Sequence, residues 1–153
     1  MSIPSSVIGR ELPAVQSTIE RGRLRFFAES IGERNPVYTD LDAARDAGYP
    51  DLPVPPTFLF GLKLDGQAPL GWITDLGVDP RFVLHGTQRF EYERMAFAGD
   101  DLVLRPRITD LFEKRGGALE FLVVSTTVTR GTETVAVISE TIVVRHPEKE
   151  AVA

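Results

Sequence analysis

From Arg81 to Arg145 the sequence runs as four stretches of alternating apolar and polar residues, about 81–93, 101–113, 118–130 and 133–145. In the second, Leu102, Leu104, Pro106 and Ile108 alternate with Val103, Arg105 and Arg107, the period of two that gives a strand one core face and one solvated face. Gly116-Gly117 and Gly131-Thr132 separate the last three stretches by gaps of hairpin length, which predicts an antiparallel meander. Such a sheet has a large apolar face that something upstream must cover. The stretch PPTFLFGLKLDG, residues 55–66, supplies it. Its prolines suit a first helical turn, and Phe58, Leu59, Phe60, Leu62 and Leu64 then make it apolar on nearly all sides. A helix without a polar face is expected to be buried. Helices and loops first, sheet later, is an α+β order.

Two further helices are expected upstream. Leu24, Phe27, Ala28 and Ile31 fall at i, i+3, i+4 and i+7, with Ser17 and Glu20 reading as a capping box and Gly32 as the stop. DLDAARDAG reads as a shorter helix capped by Asp40 and ended by Gly48. The polar segment Glu33 to Thr39 joins the two. Residues 66–80, which hold the one tryptophan, Trp72, are rich in Gly, Pro and Asp and are expected to form a long loop; such loops are often functional. The chain, 1–153, is expected to be a single domain whose tail, 146–153, frays.

Composition narrows the chemistry. The 153 residues carry 17 basic and 22 acidic side chains, a formal charge of −5, with no block of like charge. That balance argues against nucleic acid or an anionic membrane surface as partner. There is no cysteine, and the two histidines, His85 and His146, are far apart in sequence. Thiolate catalysis, a disulfide frame and a His/Cys metal site are therefore excluded, and no metal or cofactor is expected. The opening residues have no basic segment followed by an apolar run, and no later stretch approaches 18 consecutive apolar residues, so a cytoplasmic protein is expected. Dinucleotide, P-loop and nucleophile-elbow motifs are absent.

A buried helix ahead of long antiparallel strands is satisfied by a curved sheet wrapped around it, the hot-dog architecture; periodicity alone reaches only a helix against an antiparallel sheet. The open side of the helix would still need a cover, and a second or related subunit could provide it.

The segment IGERNPVYTDLDAARDAGYPDLPVPPTF, residues 31–58, resembles the hydratase signature of the MaoC-like dehydratases, the (R)-specific enoyl-CoA hydratases and 3-hydroxyacyl thioester dehydratases of the hot-dog fold. The family pattern is roughly G-D-x-N-P-[IV]-H, followed by an Asp, an Ala and a G-[FY] before the central helix. It is matched at Gly32, Asn35, Pro36, Val37, Asp40, Ala44, Gly48 and Tyr49. PPTF at 55–58 and LHGTQRFEYERMAFAGDDL at 84–102 resemble the atypical N-terminal domain of the double-hot-dog members and its single-domain relatives. The resemblance implies an acyl thioester, on CoA or an acyl carrier protein, as substrate. It also implies a homodimer or a heterodimer with a related hot-dog subunit.

Both catalytic positions of that pattern are substituted here. Glu33 stands where active members carry an aspartate, and Tyr38 where they carry a histidine. In the active family this pair positions water and moves its proton during addition across the enoyl thioester double bond. Glutamate can act as a general base; tyrosine, with a reference pKa near 10, is a proton donor or binder at neutral pH. If the chain is active alone, the resemblance makes Glu33 the base, with Asn35 and Tyr38 holding water or substrate. Amides near Thr57 and Phe58, beside Pro56, would then receive the thioester oxygen. His85 and Gly86 are expected to be substrate-binding. The substituted half of such enzymes commonly serves as a partner that widens the tunnel of an active half. A non-catalytic partner subunit is thus the alternative, and thioesterase chemistry on the same fold a third reading.

Each residue also has an ordinary structural role open to it. Glu33 can be a solvated loop carboxylate, Asn35-Pro36 turn chemistry, Tyr38 a half-buried packing residue, His85 a hydrogen-bonded structural histidine and Thr57 a cap. Arg21, Arg23, Arg25 and Arg34 could meet a phosphate or be solvated, and Phe58, Phe60, Trp72 and Phe82 could line a tunnel or fill the core.

Overall fold

The four alternating stretches form the strands their period requires, β2 (Val83–Tyr92), β3 (Asp101–Lys114), β4 (Leu119–Arg130) and β5 (Glu133–Arg145), and a short strand, β1 (Val15–Thr18), precedes them. The computed structural model describes residues 2–66 and 70–150. All pairings are antiparallel, in the order β1-β3-β4-β5-β2. The β3–β4 and β4–β5 hairpins turn where expected, at glycines with positive φ: 61° and 83° at Gly116 and Gly117, and 58° at Gly131.

Helices α1 (Arg21–Ser30), α2 (Leu41–Asp46) and α3 (Phe58–Leu62) carry one half of the cover. Leu24, Leu59 and Leu62 pack with Leu102, Leu104, Val128, Ala136 and Ile138 of the sheet. The other half comes from the N-terminal segment and α4 (Gly71–Asp75), where Ile3, Val7, Leu12, Ile73 and Val78 meet Ile108, Leu122, Val124, Ile142 and Val144. One inner face is thus covered by two separate cores.

Four local expectations are corrected. Ser17 and Glu20 form no capping box: Ser17 lies in β1 and donates its hydroxyl to Asp65 (2.9 Å), and Glu20 precedes α1 without a side-chain cap bond. The apolar helix is short; Phe58, Leu59 and Leu62 are buried, but Leu64 in the turn that follows is 52% exposed. The expected loop at 66–80 contains α4, whose Ile73 is buried, while its Gln67, Ala68 and Pro69 lie outside the described residues. His146, at the start of the tail expected to fray, is packed into the fold. It is buried, with Nε2 2.6 Å from Glu120 Oε2, and a short helix, α5 (Pro147–Glu150), follows; 151–153 lie outside the described residues. By contrast, Asp40 caps α2 through a 2.9 Å bond from the Ala43 amide, as its position predicts.

Candidate functional site

The Glu33–Thr39 loop is held by its own side chains. Gly32, at φ 72°, ends α1, and the Glu33 amide closes back on the Ala28 carbonyl at 2.9 Å. Glu33 Oε1 accepts from the amides of Arg34 and Asn35, both at 2.8 Å. Asn35 Oδ1 accepts from the Val37 amide at 3.2 Å and opens the 3-10 turn that carries Tyr38. Glu33 and Tyr38 are both half-buried. Burial raises the Tyr38 pKa above the usual phenol value, and the charge of Glu33 and the neighbouring Tyr49 add to the effect. The phenol therefore keeps its proton at neutral pH.

Tyr38 and Pro56 line a cavity of about 310 Å³ together with Val54, Leu59, Tyr92 and Met95. Thr57, at the entrance to α3, has a left-handed backbone with φ 71°, unusual for a β-branched residue. Its amide donates to Tyr92 Oη at 2.9 Å, and the Phe58 amide to the Pro55 carbonyl at 3.2 Å. Both amides expected to meet a thioester oxygen thus have partners within the chain. Phe58 itself is buried, edge-to-face with Phe27 at 5.3 Å between ring centroids.

His85 and Gly86 stand elsewhere. His85 lies on the β2 edge, stacks on Phe60 (5.5 Å between centroids) and places Nε2 3.1 Å from Gln88 Oε1. Gly86 sits in a register shift between His85 and Thr87; a Cβ there would be 2.9 Å from the Thr141 carbonyl oxygen and 3.0 Å from Val143 Cγ2. Three of the four arginines are engaged. Arg21 and Arg23 make bidentate pairs with Asp51 and Asp65, and Arg25 Nε bonds the Thr39 carbonyl at 2.7 Å.

Three residues that the sequence reading did not name as site residues also bear on the geometry. Tyr92 continues the inward row of β2 after Phe90, opposite Ala136, and Lys63 and Glu140 form an ion pair beside Phe60. Glu140 leaves a trace in the sequence, an acid between Ile138 and Ile142 in an otherwise apolar row.

Comparison with known proteins agrees with this architecture. A family model described as "FAS1-like, dehydratase domain region" matches residues 6–138. A UPF0336 protein of Streptomyces coelicolor is 38% identical over 109 residues, 71% of this chain and 73% of that protein. Two solved structures share the fold. A C-terminally truncated HadBC (3R-hydroxyacyl-ACP dehydratase) complex from Mycobacterium tuberculosis superposes with a TM-score of 0.74 at 24% identity, covering 89% of this chain and 96% of that one. A MaoC-like dehydratase gives a TM-score of 0.80 at 21% identity, covering 94% of this chain and 43% of that one. With a helix against a five-stranded antiparallel sheet, and with a family match running from the N-terminal segment into β5, the chain has the hot-dog fold of the MaoC-like dehydratase it superposes on and belongs to the FAS1-like, dehydratase domain region family.

Proposed function

We propose that this chain is the substrate-binding, non-catalytic subunit of a heteromeric 2-enoyl hydratase or 3-hydroxyacyl dehydratase. It would act on an acyl thioester of CoA or an acyl carrier protein, beside a related hot-dog subunit that carries the aspartate and histidine. The observation that carries the reading is the state of the substituted pair. One Glu33 oxygen is committed to two backbone amides of its own loop, and Tyr38 is held as a protonated phenol. A proton shuttle needs a group that accepts and then returns a proton near neutral pH, and a phenol that keeps its proton does not take up another. The Tyr92 hydroxyl on the Thr57 amide supports the same reading, because it takes the place a thioester oxygen would need.

A partner also suits the sheet. β2 is an edge of ten residues with no strand on its outer side among the described residues, and such an edge is a template for pairing. It ends at Tyr92, which is 49% exposed beside the 48% exposed Met95 at the rim of the Tyr38 cavity.

A second reading, activity of this chain alone with Glu33 as base and Asn35 and Tyr38 holding water, is favoured by the coupling of Glu33 to Tyr38. One assay separates the two. Loss of the conjugated enoyl thioester absorbance is followed on short, branched and long trans-2-enoyl-CoA, with this chain alone and mixed with a hot-dog subunit bearing the intact G-D-x-N-P-[IV]-H pattern. The partner reading expects turnover only in the mixture, with a substrate range that depends on this chain, and little change in Glu33→Gln. Turnover by the chain alone that disappears in Glu33→Gln would replace it with the second reading. Release of free thiol without hydration would point to a thioesterase.

A further inference from the structure

The two cores that cover the inner face of the sheet leave a seam between them. A second cavity, about 300 Å³, occupies it, walled by Phe60, Trp72, Leu104, Val124 and Ile142. Among the described residues it shares no lining residue with the Tyr38 cavity, and it lies off a different side of α3 and its following turn, lined by Phe60 and Lys63 rather than Leu59. Its volume is at the lower end of small-ligand pockets, about 300–1,000 Å³.

Two charged groups stand in this apolar wall. Lys63 and Glu140, 14% and 7% exposed in their side chains, form an ion pair, and Lys63 Nζ also lies 5.7 Å from the Phe60 ring centroid. Removing two charges from water is expensive, and their mutual attraction offsets this only in part, so an apolar pair of the same volume often stabilises a core as well or better. Packing alone gives no reason for the pair. A ligand does, because the pair offers a strong donor and a strong acceptor side by side on the wall of an open apolar space.

We propose that this cavity binds a neutral, hydroxylated aliphatic chain, whose hydroxyl accepts from the Lys63 ammonium and donates to the Glu140 carboxylate. The pair has no net charge, so a carboxylate head would face Glu140 and an ammonium head Lys63. A hydroxyl is donor and acceptor at once and satisfies both. Hydrogen bonds to ionised groups belong to the stronger class, and the surrounding leucine, valine, isoleucine and aromatic side chains accept the chain. The site requires neither a partner subunit nor a thioester, and it goes beyond the function proposed above. Its ligand could be a free alcohol or the oxygenated far end of an acyl chain.

Trp72, the one tryptophan of the sequence, lines the cavity and reports on it. The purified full chain is titrated with 1-octanol, its methyl ether and octanoate, following intrinsic fluorescence. The expected result is saturable binding of the alcohol, about tenfold or more tighter than either analogue. In Lys63→Met/Glu140→Leu the alcohol and the ether should bind within about twofold of each other. Absence of a saturable response in the wild-type chain, or equal or tighter binding of the ether or octanoate, overturns the proposal whether or not the double variant folds. A preference that survives in a folded double variant overturns it too. A final arm adds 8-hydroxyoctanoyl-CoA: displacement of the alcohol supports the site as the end of a substrate tunnel, and simultaneous binding supports it as a site for a separate ligand.

Discussion

The Thr57 amide and the Tyr92 hydroxyl, 2.9 Å apart, join the left-handed entrance of α3 to the last residue of β2. A β-branched residue in this conformation is strained by about 1–2 kcal/mol, and the exposed Thr57 side chain makes no cap bond that would offset it. Thr57→Gly should therefore stabilise the protein despite the greater freedom glycine has when unfolded, which costs about 0.5–1 kcal/mol. The expected gain is up to about 1 kcal/mol, or about 2–4 °C in Tm, measured by thermal unfolding. Tyr92→Phe, which removes the hydroxyl, should lose about 0.5–1.5 kcal/mol. A destabilised Thr57→Gly variant would mean that the threonine side chain, not the strain, dominates at this position.

Gly86→Ala should destabilise by about 1–3 kcal/mol, because the nearest obstacle to the new methyl group is the Thr141 backbone, which a paired strand holds in place. Urea titration checks this, with the shift appearing in the midpoint and not in the slope. An unchanged midpoint would show that the bulge at His85–Thr87 can open without disturbing β5.

Glu120 is buried, accepts from the Ile3 amide at 3.0 Å and meets His146 Nε2 at 2.6 Å. Glu120→Gln keeps the shape and removes the charge, so a loss of about 1.5–3 kcal/mol is expected. Chemical denaturation of the two proteins side by side measures it. Equal stability would show that the contact carries no charge-assisted strength.

Asp65 is held below the usual carboxylate range, mainly by its bidentate bond to Arg23; burial, next in size, opposes this, and the Ser17 hydroxyl adds a smaller lowering. A depressed carboxylate contributes stability that is present above its unfolded pKa, near 3.9, and is lost as the pH falls through its folded value. The stability difference between wild type and Asp65→Asn should accordingly be constant from neutral pH down to about 5 and shrink below about 4. Both groups are partly exposed, at 39% and 27%, so the plateau should be modest and should fall with added salt. A difference that grows on acidification would contradict this assignment.

The strands were legible because alternation is a local signal and each of the four is long enough to repeat it several times. β1 was not. It is four residues long, and its Ser17 with Glu20 reproduces the spacing of a helix cap, while the partner that places it in the sheet is β3, more than 80 residues away. The Glu33–Tyr38 loop could be read from its motif, since its bonds join neighbours in sequence. Lys63 and Glu140 are 77 positions apart, and Thr57 and Tyr92 are 35 apart, so only the folded chain brings either pair together. The acid in the apolar row of β5 marked one member of the first pair, and nothing in the local pattern named the other.

The Glu120 contact also bears on how the protein opens. The segment at Ile3 and the end of β5 at His146 are remote in sequence and share one carboxylate. Detaching either leaves a buried charge short of a partner and so loosens the other, which makes local unfolding at this pole of the sheet one cooperative event in place of two independent ones. Amides from both stretches should then exchange with solvent at a common free energy. The Tyr92 end of β5, at Ala136, is eight residues and about 26 Å along the strand from Val144, the Glu120 partner, and should remain closed while that event occurs.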